Sequence, residues 1–171
     1  WRQKRALETS MKRAAVITAS NRAFKGIYED RSGQILLQGL KDLGYEIYDV
    51  QILPDDQAQI NSALKSAIDL EVDLIVTTGG TGVSPFDVTP EATIPLIEKF
   101  LPGFHEALRS FSRDKVPTTD LSRGVAGVTK KSLIINLPGS PGGAKDGLVI
   151  IERLASHIHD QLAGHDHSPS N

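Results

Sequence analysis

The sequence predicts an α/β fold with three layers, in which a doubly wound, mostly parallel sheet carries helices on both faces. Short apolar runs of strand length alternate along the chain with longer segments of helical periodicity. Two of the runs, residues 72–76 and 133–137, are almost continuously apolar, which is typical of strands buried on both faces of a parallel sheet. The length of 171 residues is the usual size of one domain.

The strands are predicted from their apolar runs. They lie at residues 14–18, 45–53, 72–78 and 133–137, with a weaker strand at 124–128. Since helical segments separate successive strands, we expect parallel strands joined by right-handed crossovers. Ligands of such sheets bind at the carboxyl ends of the strands, so the loops that follow the strands are the candidate sites.

The first two helices have recognisable ends. An apolar stripe over residues 36–43 is followed by Gly44, and glycine is typical of the position after a helix end. A second stripe over residues 60–68 follows Asp56 and Gln59, which match an N-cap and its reciprocal partner. Both helices should present one apolar face to the sheet.

Two later helices are predicted from prolines and periodicity. Thr89, Pro90 and Glu91 match a helix start, with a capping hydroxyl, a proline at the first helical position and a carboxylate near the positive end of the dipole. Pro95 must end or kink that helix. The last helix is predicted over about residues 145–162.

The chain is predicted to hold a single domain over residues 11–163. Residues 1–10 are polar and basic and are interpreted as a leader or an added segment, because Met11 directly precedes the first strand. Residues 164–171 are interpreted as a polar C-terminal tail.

Composition excludes several function classes. The chain has 19 Lys plus Arg and 21 Asp plus Glu, a formal net charge of −2, which argues against a broad electrostatic hold on nucleic acid or on anionic membranes. It has no cysteine, so disulfides, thiolate metal sites and cysteine nucleophiles are excluded. No apolar run approaches the ~20 residues that span a bilayer. We expect a cytoplasmic protein that binds neither nucleic acid nor membranes.

The strongest local signal is the segment 77–91, between a predicted buried strand and a helix start. Three glycines within four positions permit positive φ and bring backbone N–H groups close to a ligand, and three threonines add hydroxyl groups. These residues are Gly79, Gly80, Gly82, Thr77, Thr78 and Thr81. The pattern suits phosphate, although it is neither a dinucleotide fingerprint nor a Walker loop. The alternative is a simple turn from sheet to helix.

Two aspartates at predicted strand ends favour phosphate chemistry. A carboxylate beside bound phosphate is repelled unless a cation lies between them, and Mg²⁺ prefers one or two carboxylates plus phosphate oxygens. Asp87 therefore indicates a magnesium–nucleotide site, with a turn cap before Thr89 as the alternative. If Asp56 caps the next helix, Asp55 is left for metal binding or acid–base work.

Other loops carry weaker candidates. Arg22 could clamp a phosphate, and Asp30 or Ser32 could cap the helix that follows. Residues 138–143 could form an anion-binding helix mouth or a flexible loop. Three histidines in helical stretches lack companions for metal binding and are interpreted as ordinary surface or partly buried side chains: His105, His157 and His159.

These stretches resemble the molybdopterin adenylyltransferase family of molybdenum-cofactor biosynthesis, which includes bacterial Mog-type enzymes and the G domains of gephyrin and its plant counterpart. The resemblance extends from Met11 to about Leu162. It is carried by residues 20–33, 54–57, 78–93 and 136–140, of which 78–93 are the most specific.

The resemblance implies a Mog-type fold and Mg²⁺-dependent transfer of AMP from ATP to the terminal phosphate of molybdopterin, with release of pyrophosphate. It implies that Asp55 and Asp87 correspond to functionally essential aspartates, assigned here to catalysis and to the metal. It also implies a homotrimer, and a partner protein that inserts molybdate into the adenylylated product.

The resemblance further implies which residues bind the two substrates. Residues 79–82 would hold the nucleotide phosphates, and residues 138–140, with Ser122 and Arg123, would seat the pterin. The binding residues implied in all are Ser20, Arg22, Asp30, Thr78, Gly79, Gly80, Thr81, Gly82, Thr89, Pro90, Glu91, Ser122, Arg123, Pro138, Gly139 and Ser140.

The chain departs from the family pattern at two positions. Phe86 stands where many relatives carry arginine, which implies one fewer cation near the phosphates. Asn21 stands where aspartate is common.

Two other functions remain open at this point. The first is a pterin-binding scaffold of the same pathway that has no catalytic activity. The second, weaker alternative is a hydrolase of nucleotide derivatives that resembles the competence-damage family, which shares part of the glycine motif. A hydrolase would turn over without pterin.

Overall fold

The computed structural model describes residues 10–165, so residues 1–9 of the predicted leader and 166–171 of the predicted tail lie outside the described residues. This range contains six strands: β1 (Arg13–Ala19), β2 (Glu46–Leu53), β3 (Leu74–Thr78), β4 (Lys99–Phe100), β5 (Ala126–Thr129) and β6 (Ser132–Leu137). Its α-helices are α1 (Asn21–Phe24), α2 (Arg31–Asp42), α3 (Gln57–Asp69), α4 (Thr89–Thr93), α5 (Pro102–Ser112) and α6 (Pro141–Leu162). Two short 3₁₀ helices cover Ile94–Leu96 and Pro117–Leu121.

The strands form one sheet in the order β2-β1-β3-β6-β5-β4. The first four are parallel neighbours, whereas β5 runs antiparallel to both β6 and β4. The predicted mostly parallel, doubly wound sheet is confirmed. Strand β4 is not predicted from the sequence, and α5 is indicated only by the helical stretch around His105, without bounds. Strand β4 is too short to show a period, and Pro102 and Gly103 resemble a break in the chain although they form the first turn of α5.

Apolar residues pack on both faces of this sheet. Along β1, Ala14 and Val16 point into one core, which α2, α5 and α6 cover, and Ala15 and Ile17 point into a second core, which α3 and α4 cover. The predicted three layers are confirmed, and the loops after the parallel strands meet at one edge. Within residues 10–165, no helix is both long and apolar enough to cross a membrane.

The ends of α2 and α3 follow their sequence signals in part. Gly44, with φ +94°, comes directly after the C-cap residue Leu43. The Asp56 carboxylate accepts the Gln59 N–H at 2.9 Å, which confirms the N-cap. The predicted reciprocal bond is wrong, because the Asp56 N–H donates to the Pro54 carbonyl at 2.8 Å.

The starts of α4 and α6 differ from the predictions. Val88 occupies the N-cap position of α4, so Thr89 is its first helical residue and the predicted cap is wrong. Pro95 does end this helix, which passes into a 3₁₀ turn. Helix α6 begins at Pro141, with Ser140 as its N-cap, and so starts earlier than residue 145. The two glycines that follow Pro141 lower helix propensity and conceal this start in the sequence.

Two histidines are more buried than predicted. His105 and His159 are only 4% and 6% exposed. His105 donates from Nε2 to the Asn136 carbonyl at 2.7 Å, and the ring of His159 shares a 2.8 Å hydrogen bond with the hydroxyl of Tyr45. Burial lowers the pKa of His105 to about 4, although its bond to Asn136 acts in the opposite direction. Both rings therefore belong to the core.

Replacing His105 with glutamine should make the fold less sensitive to acid. The pKa of His105 is about 4 in the folded chain and about 6.5 in the unfolded chain. As the pH falls from 6.5 toward 4, this histidine therefore gains a proton mainly in the unfolded chain. Stability present above pH 6.5 is therefore lost progressively down to pH 4, by about 3 kcal/mol. Glutamine keeps an N–H donor but does not titrate. Urea unfolding at pH 7 and pH 4 would measure the difference.

The unaltered protein is the reference for this variant. We expect His105→Gln to lose about 3 kcal/mol less stability between pH 7 and pH 4 than the unaltered protein does. An equal loss in both proteins would show that the His105 ring gains its proton as readily in the folded chain as in the unfolded chain.

Candidate functional site

The loops that follow β1, β2, β3 and β6 surround one cavity of about 820 Å³. Many predicted site residues line it: Ser20, Arg22, Asp30, Asp55, Thr78, Gly79, Gly80, Asp87 and Gly139. The rest of the wall comes from Thr18, Ala19, Asn21, Tyr28, Glu29, Arg31, Ser32, Phe86 and Pro141. The cavity lies at the carboxyl ends of parallel strands, the position at which α/β sheets bind ligands.

Two glycines let the loop after β3 pass close to its neighbours. Gly79 and Gly80 have φ of +95° and +69°, in the left-handed region that favours glycine. A Cβ at Gly79 would collide with the Ala19 carbonyl oxygen, and a Cβ at Gly80 would collide with the Thr89 hydroxyl. A Cβ at Gly139 would lie 3.0 Å from the Gly79 Cα. The loops after β1, β3 and β6 are thus packed backbone against backbone.

The threonine hydroxyls expected to face a ligand are bonded within the protein. Thr77 accepts a hydrogen bond from the Asn136 amide at 3.0 Å. Thr78 donates to the Pro138 carbonyl at 2.9 Å, which ties the loop after β3 to the loop after β6. Thr78 lines the cavity, whereas Thr77 is fully buried.

Asp55 is held at the end of β2 by a reciprocal pair of bonds. Its Oδ2 accepts the Asn21 N–H at 3.1 Å, and the Asn21 side-chain oxygen accepts the Asp55 N–H at 2.9 Å. The other oxygen, Oδ1, faces the glycine loop, 3.5 Å from the position of a Cβ at Gly80. Burial raises the pKa of Asp55, the Asn21 N–H lowers it, and the charge of Asp87 raises it. The two carboxylates thus influence each other in one cavity.

Asp87 lies beside Gly82 of the glycine loop and fits both interpretations given to it, a turn cap and a carboxylate of the ligand site. Its Oδ2 accepts the Ser84 N–H at 2.9 Å, and its own N–H donates to the Ser84 carbonyl at 3.0 Å. A Cβ at Gly82 would lie 2.8 Å from the same Oδ2, so the carboxylate folds back over the turn. Asp87 therefore closes a turn and also lines the cavity.

The donor set fits a magnesium ion that binds together with a nucleotide. Within residues 10–165, no group of three or more His, Cys, Asp or Glu side chains could hold a metal ion. Asp55 and Asp87 would instead supply two carboxylates, and Mg²⁺ commonly takes one or two of these plus substrate phosphate oxygens. A cation there would also relieve the repulsion that raises the pKa of Asp55.

The loop after β1 and the start of α2 form a wall that carries two arginines and two carboxylates, those of Glu29 and Asp30. The Ser20 hydroxyl shares a 2.7 Å hydrogen bond with that of Tyr28, and Asp30 is the N-cap of α2. Arg22 and Arg31 lie on the same wall. Ser20 and Asp30 therefore fix the shape of the loop, and the two arginines supply its cations.

Nine residues that line the first cavity are absent from the predicted binding set, among them Asn21, Tyr28, Arg31 and Phe86. Asn21 and Arg31 could have been found, because both are polar residues in a loop that follows a buried strand. Tyr28 gives no such signal, since its contact with Ser20 depends on how the loop folds. Phe86 is 64% exposed and brings an aromatic ring to the cavity.

A second cavity of about 220 Å³ borders the loops after β3 and β6. Other predicted site residues line it: Thr81, Gly82, Ser122, Pro138 and Ser140. Helix α5 and the 3₁₀ segment after it add the apolar side chains of Leu108, Val116 and Leu121. The predicted binding residues are therefore divided between two neighbouring cavities.

In the described part of the chain, the four remaining predicted residues line neither cavity. Thr89 and Pro90 are buried under the glycine loop. Glu91 and Arg123 form an ion pair beside that loop, and Arg123 lowers the pKa of the Glu91 carboxyl.

Comparison with known proteins assigns the chain to a family. A family model described as "Probable molybdopterin binding domain" matches residues 15–156. The chain is 42% identical over 153 residues to a molybdopterin adenylyltransferase of Helicobacter pylori, which covers 87% of this chain and 86% of that protein. It is 39% identical over 148 residues to a protein of the same name from Pyrococcus furiosus, covering 84% and 86%.

The solved structures agree with the sequences. The molybdopterin biosynthesis Mog protein from Mycobacterium ulcerans is 42% identical and has a TM-score of 0.84, covering 88% of this chain and 99% of that one. The resemblance and the Mog-type fold expected from residues 20–33, 54–57, 78–93 and 136–140 are confirmed. The chain belongs to the family of molybdopterin-binding domains.

Proposed function

We propose that residues 11–163 form one molybdopterin-binding domain, which catalyses Mg²⁺-dependent transfer of AMP from ATP to molybdopterin with release of pyrophosphate. The observation that carries this proposal is the presence of Asp55 and Asp87 in one cavity beside the glycine loop. The names of the relatives from Helicobacter pylori and Pyrococcus furiosus support the same reaction in molybdenum-cofactor biosynthesis.

The reaction would be an in-line displacement at the α-phosphorus of ATP. An oxygen of the molybdopterin phosphate forms the new bond to this phosphorus, and the bond to the oxygen that leaves with pyrophosphate breaks. Since the attacking oxygen is already anionic, no side-chain nucleophile is required. The chain's own contribution is positioning and electrostatic stabilisation.

Asp55 and Asp87 would hold the magnesium ion. When bound, Mg²⁺ would neutralise the charge that gathers on the pyrophosphate. Arg22 and Arg31 would bring two cations to the nucleotide phosphates. They would take the place of the arginine that the resemblance gives at the position of Phe86. Gly79 and Gly80 would let the nucleotide phosphates approach the backbone closely.

The pterin would occupy the second cavity. Its lining of hydroxyl groups, from Thr81 and Ser122, and of apolar side chains, from Leu108 and Leu121, suits a flat heterocycle with polar edges. Pro138 and Ser140 lie on the loop that borders both cavities, which would place the pterin's phosphate near the nucleotide.

The proposed assembly is a homotrimer that passes its product to a molybdate-inserting partner. The edge strand β2 leaves Tyr48, Val50 and Ile52 between 40% and 44% exposed, and an apolar strip of this kind favours contact between protein chains. A reaction that consumes ATP requires a compartment that contains it, which favours the cytoplasm.

One assay tests the reaction against its alternatives. Purified protein is incubated with molybdopterin, ATP and Mg²⁺, and pyrophosphate and the AMP-bearing pterin are measured. We expect both products in equal amounts, and neither when the pterin is omitted. Pterin binding without products would support the scaffold, whereas nucleotide turnover without pterin would support the hydrolase. Either result would overturn the proposal.

A further inference from the structure

Arg123 holds both ends of the turn that carries Asp87. Its Nε donates to the Gly82 carbonyl at 2.8 Å, and its Nη2 donates to the Asp87 carbonyl at 3.0 Å. Its third branch, Nη1, is paired with the Glu91 carboxylate. Because the guanidinium group is planar and rigid, these bonds fix Gly82 and Asp87 relative to each other.

The arginine is itself anchored to the rest of the fold. Its backbone N–H donates to the Thr81 carbonyl at 2.8 Å. The preceding carbonyl, that of Ser122, accepts a bond from Arg109 of α5 at 2.7 Å, and the Ser122 hydroxyl lies 3.3 Å from that of Thr81. The guanidinium therefore transmits the position of α5 to the turn.

The carboxylate of Asp87 depends on this turn for its place in the cavity. The carbonyl that Arg123 holds belongs to Asp87 itself, so a shift of that carbonyl moves the side chain. We propose that Arg123 is a positioning residue, which sets the Asp87 carboxylate against Asp55 and does not bind the pterin. This inference rests on the proposed function only in taking Asp87 to act in the reaction.

Kinetics of two variants separate positioning from pterin binding. Arg123→Lys keeps the charge but loses the planar fork, and Arg123→Gln loses both. We expect kcat to fall about tenfold or more in the first variant and about a hundredfold in the second, the loss that a displacement of about 1 Å can cause. The dissociation constant for molybdopterin, measured by pterin fluorescence, should stay within about twofold.

A readout without substrates tests the same inference if the protein proves not to be an adenylyltransferase. Amide hydrogen exchange of the ligand-free protein should rise about tenfold over residues 82–88 in both variants, because the bonds that close the turn are lost. Exchange in the strands of the sheet should remain unchanged.

The matched control is Arg113→Gln, since Arg113 pairs with Asp120 on the surface and its side chain is 54% exposed. This variant should keep both its kcat and its exchange rates. Full kcat in Arg123→Lys, a loss of pterin affinity that parallels the loss of kcat, or unchanged exchange over residues 82–88 would each overturn the inference. Failure of both Arg123 variants to fold would assign Arg123 to global stability and would also overturn it.

Discussion

Replacing Asp87 with asparagine is expected to reduce adenylyl transfer about a thousandfold, a loss typical of removing a group that stabilises charge in the transition state. Asparagine has the same size, and its side-chain oxygen can still accept the Ser84 N–H that Asp87 accepts at 2.9 Å. The turn should therefore persist while the negative charge toward the cation is lost. Initial rates of pyrophosphate release, with the affinity for molybdopterin measured in parallel, would check this.

Asp120→Asn is the matched control, because Asp120 is an exposed aspartate on a 3₁₀ helix, paired only with Arg113 in the described contacts. It should retain full activity. The Asp87 variant should also keep its thermal midpoint and its pterin affinity. Turnover within about threefold of the unaltered protein would remove Asp87 from the chemistry and, with it, the proposed magnesium site.

The sequence predicts a helix or strand well when the residues of that element carry the pattern by themselves. The apolar runs at 72–76 and 133–137 become β3 and β6, because a strand covered by helices on both faces has no polar side. Gly44 ends α2 because a positive φ is required at that point. The parallel order then brings Asp55 and Asp87 to one edge without further information.

The contacts that the sequence does not reveal are those made between distant segments. Arg123 lies 41 residues beyond Gly82 in the sequence, and the two meet in the fold, in which β5, the strand that follows Arg123, pairs with β6. Thr89 has the sequence pattern of a cap, yet its hydroxyl is buried against Gly80, because the tight approach of the loop displaces the helix start. Local patterns indicate candidate groups, and tertiary packing decides which atoms they contact.

Asn136 illustrates the same distinction in the core and carries the largest expected effect on stability. This fully buried residue of β6 donates from its side-chain amide to Thr77 and Thr93, at 3.0 and 3.1 Å. Its side-chain oxygen accepts the Val125 N–H at 3.1 Å. Asn136→Leu would keep the branched shape of the side chain but leave the Val125 N–H without its partner. We expect the free energy of unfolding to fall by about 3–5 kcal/mol.

Asn61→Leu is the matched substitution on the same side of the sheet, in α3, since Asn61 is half-buried and its side-chain amide donates to the Ala92 carbonyl at 2.9 Å. Removing that single bond should cost about 1 kcal/mol, as a typical hydrogen bond does. Urea denaturation of both variants would compare them directly. Because Asn136 joins β6 to β3, to α4 and to the segment before β5, a cost no larger than that of Asn61→Leu would mean that these elements hold their places without it. In that case, apolar packing alone would hold the carboxyl ends of the strands in place, from which the glycine loop extends.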